Sequence, residues 1–365
     1  MKRNGSNGHR TSRELDARGV SIDKSRVSIY RKRGDKGAFE AREVKSLHGQ
    51  RTPRNTLING DALAELPKLP AGEVDLIVTS PPYADSRAKT YGGIHPDKYV
   101  DWFLPITGEL FRVLKPGGSF VLNIKEKVVD GQRHTYVLDL LLRMKEQGWI
   151  WTEEYIWHKR NCYPGKWPNR FRDAWERCLH FTKSKQFSMY QQAVMVPTGD
   201  WRHARLRSLS ATDKTRDESK VKSGFGKKIE NWVGRQLAYP TNVLHFATEC
   251  GNKSHSAAFP ESLPAWFIRL FTKTGDLVLD PFLGSGTTAV AAAKANRDFI
   301  GIEIKPEYFD LANQSILSLS PVQQDLEFAV NATADRRASP ERIHPSGSDQ
   351  ARRFGKRSRA TLTFT

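Results

Sequence analysis

The chain has 365 residues, 38% of them hydrophobic, and 58 Lys and Arg against 40 Asp and Glu give a formal net charge of +18. That length holds one large α/β domain or two modest ones. No run of about 18 apolar residues is present to span a membrane, and the first residues (MetLysArgAsnGlySerAsnGlyHisArg) hold no apolar stretch for a secretory signal. Cys162, Cys178 and Cys250 are dispersed, make neither a disulfide framework nor a Cys-x-x-Cys metal site and suit a reducing cytoplasm, while the positive surplus points to a polyanion, nucleic acid before an acidic membrane.

In chain order, residues 1–50 carry 13 Lys and Arg against 6 Asp and Glu with no lasting apolar period, and read as a mobile basic arm. The pattern then turns to strands alternating with helices. Residues 56–61 form a short strand, followed by a weak helix through Leu63 and Leu66. Residues 74–79 (ValAspLeuIleValThr) form a buried strand that stops at Ser80-Pro81-Pro82-Tyr83. Apolar residues at Trp102, Phe103, Ile106, Leu110 and Val113 predict a helix over 99–113. Lys115-Pro116-Gly117-Gly118 reads as a turn and 119–124 as the next strand. A helix over 136–144 precedes strands at 149–157 and 176–182, which pair around the 158–175 connection.

A second basic stretch, 183–235, has 12 Lys and Arg against 5 Asp and Glu and a polar run unlike a core. Beyond it come a helix over 260–271, a strand at 276–280, an Ala-rich helix over 287–294, a strand at 298–303 and a helix over 305–317. Residues 331–365 carry 8 basic against 3 acidic side chains and read as another mobile arm. Alternating strands and helices predict a mostly parallel sheet covered on both faces. Each basic stretch alone reads as a solvated segment. Three of them around a balanced α/β body favour phosphate contacts, which supply affinity and register but no sequence choice.

Two motifs carry chemistry. The first, Asp280-Pro281-Phe282-Leu283-Gly284-Ser285-Gly286-Thr287-Thr288, lies at a strand-to-helix junction. Glycines there let backbone amides approach a ligand, and the helix N-terminus points at it. Glu303 ends the next strand, at the spacing where an acid meets a ribose hydroxyl pair. Gly-x-Gly-x-x-Gly and Gly-x-x-x-x-Gly-Lys-Ser/Thr are both missing, so the pocket suits a ribose-bearing ligand without a pyrophosphate. The alternative is a bare strand–helix turn, and Ala291–Ala293 read as helix–sheet packing.

The second motif, Thr79-Ser80-Pro81-Pro82-Tyr83, directly follows a buried strand. Two prolines fix the backbone and leave carbonyls free to accept; Ser80 adds a hydroxyl and Tyr83 an aromatic face. Rigid acceptors beside a ring suit a planar base with an exocyclic amino group. Alone, the motif reads as a proline turn. Together, both motifs fall at strand carboxyl ends, where open parallel sheets bind ligands.

These two motifs in this order resemble the S-adenosylmethionine-dependent DNA amino-methyltransferases, and the order, catalytic motif first, resembles their β group. The resemblance spans Asn55 to about Leu317, including 113–124 (ValLeuLysProGlyGlySerPheValLeuAsnIle) and 259–268 (PheProGluSerLeuProAlaTrpPheIle), and leaves the terminal arms uncovered. It implies a Rossmann-like, doubly wound, circularly permuted sheet of seven strands, one reversed. The strand ending at Asp280 is then the first of the fold, that ending at Glu303 the second and that ending at Asp61 the third. The resemblance also implies a catalytic domain over 51–183 and 246–320, a target-recognition insert over 184–245 and a basic tail over 321–365.

S-adenosylmethionine is the implied cofactor. Asp280 and the Gly284–Gly286 loop, with Ser285, Thr287 and Thr288, would hold its methionine part, Glu303 its ribose and Asp61 its adenine, with Phe259 and Phe282 packed alongside. An ordinary strand-end cap is the alternative for each carboxylate. Ser80, Pro81, Pro82 and Tyr83 are the implied catalytic residues. Acceptors at Ser80 and the Pro81 carbonyl would hold the amino hydrogens and turn the lone pair toward the sulfonium methyl, a task of positioning and electrostatics.

No Pro-Cys dipeptide offers the nucleophile of the carbon-methylating relatives, and the cysteines read as small packed or free groups. The target must be flipped from the duplex, at roughly a few kcal/mol, partly offset by stacking on Tyr83. Ser at the first motif position implies cytosine N4; adenine N6, an RNA substrate and a non-catalytic DNA-binding protein are the alternatives. The implied partners are double-stranded DNA and a separately encoded restriction endonuclease. Arg170 and Arg172 read as lying near DNA, with ordinary surface positions as the alternative, and the tryptophans of 157–175 as core. His158, His180, His245 and His255 have no metal spacing. Whether the protein is a monomer or a dimer stays open.

Overall fold

In the computed structural model, residues 28–31 (backbone only), 54–85, 93–162, 168–198, 210, 235–248 and 259–319 are described. Strands β1 (Ser28–Arg31), β2 (Thr56–Asn59), β3 (Val74–Thr79), β4 (Leu114–Ile124), β5 (Ile150–Lys159), β6 (Trp175–Thr182), β7 (Val243–Phe246), β8 (Leu277–Asp280) and β9 (Asp298–Glu303) form one sheet in the order β1-β2-β9-β8-β3-β4-β6-β5-β7. Every neighbouring pair is parallel except the two that β6 makes with β4 and β5. The expected seven strands with one reversed are the central seven. Two four-residue strands, β1 and β7, add an edge on each side and bring the sheet to nine.

Helices α1 (Ala62–Glu65), α2 (Pro96–Val113), α3 (Tyr136–Glu146), α4 (Ser262–Phe271), α5 (Thr287–Lys294) and α6 (Pro306–Leu317) cover both faces. Period-2 alternation sorts the strand residues between the two layers. In β3, Ile77 faces a core with Tyr99, Phe103 and Leu110 of α2 and Tyr136 and Leu140 of α3. Its neighbours Leu76 and Val78 face Phe267 and Phe271 of α4, Ala291 and Ala292 of α5 and Phe309 of α6. Strands buried on both faces read as continuous apolar runs, which is why β3, β8 and β9 were legible as strands. None of the helices among the described residues is long and apolar enough to cross a membrane.

Three differences from the expected elements have local causes. Lys115-Pro116-Gly117-Gly118 lies within the eleven-residue β4 instead of ending a helix in a turn. There the register jumps from Val74↔Leu114 to Leu76↔Ser119, an irregularity that absorbs the extra residues. A Cβ on Gly118 would come within 2.8 Å of the Asp75 carbonyl, so the close strand approach requires glycine. Helix α2 begins three residues earlier than its apolar spacing predicts, with Pro96 in its first turn and the His95 ring accepting from the Asp97 amide. Finally, β1 falls within the stretch read as a basic arm, since a short edge strand needs no apolar alternation. Residues 1–27 and 32–50 of the expected basic arm and the expected tail over 321–365 lie outside the described residues. So does most of 184–245, whose described ends lie on the body: the Tyr190 amide donates to the Leu270 carbonyl, and β7 pairs with β5.

Candidate active site

Strands β8 and β3 are parallel neighbours from which the chain winds away in both directions, to β9 and β2 on one side and to β4, β6 and β5 on the other. This is the switch point at which a parallel sheet opens a crevice beyond its carboxyl ends. Thr79 ends β3 and Asp280 ends β8. The buried Thr79 hydroxyl donates to Asp280 Oδ1 at 2.6 Å across 201 residues of sequence. The two motifs therefore meet through a side-chain hydrogen bond.

Asp280 is only 2% exposed. Its Oδ1 also accepts from the Phe282 amide at 3.0 Å, and its Oδ2 accepts from the Thr288 hydroxyl at 2.6 Å. Burial pushes its carboxyl up to about 6 against the pull of these donors. Glu303, 4% exposed at the end of β9, accepts from the Gly284 amide at 2.7 Å and the Lys305 amide at 2.8 Å. Burial pushes it up to about 7, with the Asp280 charge a lesser cause. Two buried carboxyls thus stand at adjacent strand ends, and neither makes an ion pair among the described residues.

The glycines divide their labour differently from the expectation that both serve ligand approach. Gly284 and Gly286 both take left-handed φ values, 56° and 96°. A Cβ on Gly286 would lie 2.9 Å from both Cα and Cβ of Ala312, so this glycine lets α5 and α6 touch. The Gly284 and Gly286 amides are used internally, by Glu303 and the Leu283 carbonyl. What α5 offers a ligand are the first-turn amides at Thr287 and Thr288, left over by helix geometry because Gly286 supplies no side-chain cap. Ser285 and Thr287 are half-buried at the same turn.

Asp61 is exposed and caps α1, accepting from the Leu63 amide at 3.1 Å. It sits two residues beyond β2, whose Asn59 donates to the Glu303 carbonyl at 2.8 Å, so Asp61, Glu303 and Asp280 follow one another along the rim. Phe282 packs on Trp102 and Phe103 of α2, whereas Phe259 is buried in the opposite layer with α4.

The second motif is held from below. The Pro82 carbonyl is not free: the buried Tyr99 hydroxyl donates to it at 2.9 Å, which leaves the Pro81 carbonyl as the acceptor beside Ser80. The Tyr83 hydroxyl donates to Glu176 Oε2 at 2.6 Å and has Asn123 Oδ1 at 3.0 Å, while the Ser80 hydroxyl donates to Tyr83 Oη at 3.3 Å. Lys159 Nζ reaches Glu176 Oε1 at 2.6 Å. Burial first, then the Glu176 charge, hold the Tyr83 phenol well above its usual range. Asn123, Lys159 and Glu176 escaped the sequence reading; their only trace there is polar side chains inside strands that otherwise alternate as core.

Glu176 also lines a charged cleft with Lys125, Arg133 and Trp175. At its edge Asp173 gathers Lys125 at 3.2 Å, Arg133 at 2.5 Å and Arg170 at 3.5 Å, and Phe171 stands 96% exposed between Arg170 and Arg172. Of the tryptophans, Trp157 is core and Trp175 is partly exposed with Arg177 over its ring. Cys178 is buried and Cys162 intermediate; Cys250 and His255 lie outside the described residues. His180 is buried, its ring pushed down to about 3 by burial, and His158 faces His245 across β5 and β7 at 3.0 Å.

Comparisons with known proteins identify the family. A family model described as DNA methylase matches residues 74–314. The chain belongs to the DNA methylase family. Type II methyltransferase M.PvuII of Proteus hauseri is 32% identical over 284 residues, 70% of this chain and 82% of that protein. DNA adenine methyltransferase YhdJ of Escherichia coli (strain K12) is 31% identical over 267 residues, 70% of this chain and 80% of that protein. The solved structure of PvuII DNA methyltransferase (cytosine-N4-specific) superposes with a TM-score of 0.55 at 28% identity, covering 73% of this chain and 89% of that one. This methylase is accordingly an S-adenosylmethionine-dependent DNA amino-methyltransferase of the β group. Its site fits that cofactor: Asp280, a buried carboxyl with no ion-pair partner among the described residues, suits a cationic methionine end, and Glu303, a buried carboxyl on the next strand end, suits ribose hydroxyls.

Proposed function

We propose that this methyltransferase modifies the exocyclic N4 amine of a cytosine flipped out of duplex DNA at a specific site, as the modification half of a restriction–modification system acting in the cytoplasm. One observation carries the reading: the Thr79–Asp280 hydrogen bond, which sets the base motif and the glycine loop on neighbouring strand ends. When bound, S-adenosylmethionine supplies an electrophilic methyl group on its sulfonium. Asp280, Ser285, Thr287 and Thr288 would hold its methionine part, and Glu303 and Asp61 its nucleoside.

The rest of the work belongs to the base pocket. An aromatic amine shares its lone pair with the ring and is a weak nucleophile, so catalysis here consists of orientation. Ser80 and the Pro81 carbonyl accept the two amino hydrogens and turn the lone pair out of conjugation. Pro82 keeps the turn rigid with its own carbonyl taken by Tyr99, and the Tyr83 ring offers the stacking face. Loop 168–174, with Phe171, Arg170 and Arg172, faces the DNA, and 184–245 supplies sequence choice. The basic arms add phosphate contacts.

Ser80 and the likeness to a cytosine-N4-specific enzyme in both sequence and structure support cytosine. Adenine N6 is the second reading, favoured by the 31% identity to an adenine methyltransferase. Duplex DNA methylated in vitro and digested to nucleosides decides between them by mass spectrometry. N4-methylcytosine is the expected product; N6-methyladenine would overturn the cytosine assignment while keeping the enzyme class.

A further inference from the structure

Among the described residues the hydrogens around Tyr83 run in one direction only. Glu176, paired through Oε1 with the Lys159 ammonium, turns Oε2 to the Tyr83 hydroxyl at 2.6 Å, and a carboxylate only accepts. Asn123 is committed as well: its Nδ2 donates to the Arg177 carbonyl at 3.1 Å, which leaves Oδ1, an acceptor, toward Tyr83. Tyr83 has one hydrogen, and the shorter bond to Glu176 takes it. The hydrogen that comes to the lone pairs of Tyr83 is that of Ser80, whose oxygen is 3.3 Å away. With its own hydrogen turned inward, Ser80 shows the base pocket lone pairs alone.

We propose that Glu176, backed by Lys159 and acting through Tyr83, is a specificity-determining positioning residue: it fixes the direction of the Ser80 hydroxyl, so that the pocket selects an amino base over its oxo counterpart. A hydroxyl free to rotate serves an amine and a carbonyl equally, by accepting from one and donating to the other. A hydroxyl with its hydrogen engaged accepts from an amine and meets a carbonyl with lone pair against lone pair. Cytosine is thereby separated from uracil, or adenine from hypoxanthine, before any bond is made. This role for Glu176 rests on the proposed function, in which Ser80 faces the target amine.

The test reads binding. Sequencing of DNA methylated by the wild-type enzyme gives the site. Duplexes are then made with the native target base and with its oxo counterpart, and the affinity of the full-length protein for each is measured by fluorescence anisotropy without cofactor. The altered pair weakens the duplex equally for every variant, so the amino-to-oxo ratio is compared between variants. In Glu176→Gln, Lys159 retains the amide oxygen, the amide nitrogen donates to Tyr83, and Ser80 is released. The ratio is expected to fall about tenfold, the range in which one hydrogen bond discriminates between bases. Tyr83→Phe, which removes the relay oxygen while keeping the ring, is expected to lower it equally. Glu176→Gln added to Tyr83→Phe should have no further effect.

An unchanged ratio in both single variants overturns the inference while methylation by the wild type stands. A further drop in the double variant also overturns it, because Glu176 would then act by another route. Failure of the wild type to methylate any DNA overturns the functional reading beneath it.

Discussion

Asp280→Asn is expected to make the protein more stable while weakening its hold on the methyl donor. Burial raises the Asp280 carboxyl to about 6 from an ordinary 3.8. A carboxyl raised in the folded state contributes stability that is full below the unfolded value and is lost as pH rises through the folded one. At pH 8 the folded protein therefore bears a cost of about 3 kcal/mol for keeping this group ionised, at about 1.4 kcal/mol for each pH unit. Asparagine has the shape of the protonated acid. Its oxygen can face the Thr79 hydroxyl and the Phe282 amide, and its nitrogen can donate to Thr288, whose hydroxyl turns to accept. The hydrogen bonds survive and the buried charge does not.

At pH 8 the variant should melt roughly 6–12 °C above the wild type, from about 2–4 °C per kcal/mol in a domain of this size. At pH 5 the linkage leaves about half of that advantage. Thermal unfolding of both proteins at the two pH values measures it. A variant no more stable than the wild type at pH 8, or one with the same advantage at both pH values, would falsify the assignment of Asp280 as a destabilising buried charge. Calorimetry with S-adenosylmethionine supplies the other half: a stabilised variant that binds as tightly as the wild type shows that the charge is not spent on the donor.

Donor affinity should rise from pH 5 to pH 8 as Asp280 and Glu303, at about 6 and about 7, lose their protons. With Asp280 about nine-tenths protonated at pH 5, the loss there is at least about tenfold. Protons should also be released on binding near pH 6.5, visible as a dependence of the binding enthalpy on the buffer. Gly286→Ala should lower stability by about 2 kcal/mol or more, since it adds strain at a positive φ and a clash with Ala312; chemical denaturation reads it, and an unchanged midpoint would remove the packing role given to this glycine. Tyr99→Phe leaves the Pro82 carbonyl without its donor and should cost about 1–3 kcal/mol in the same assay, with methylation reduced in parallel if the turn loosens.

Much of this protein is written in short stretches of its chain. β3, β8 and β9 are apolar runs between turn residues, the two-proline and two-glycine motifs punctuate their ends, and α5 announces itself by its alanines. Such features depend on neighbours a few residues away, whose sterics and periodicity hold in any context. The same locality explains what the sequence leaves out. Gly286 reads in sequence as part of a ligand loop, and its packing constraint against Ala312 on another helix is added only by the fold. The prolines appear as a pair of open carbonyls until Tyr99 is brought against one of them.

The two motifs, the alternating elements and hence the family are legible in the chain alone, because they rest on contacts between residues close in sequence. How the motifs act together follows from the folded sheet. Thr79 finds Asp280 201 residues away, and Tyr83 finds Glu176 93 residues away, because strand order in the sheet, which no local pattern encodes, makes them neighbours. A buried hydroxyl or carboxylate takes its charge and its hydrogen direction from whatever surrounds it, and for this pocket those surroundings come from β3, β4, β5, β6 and β8 at once.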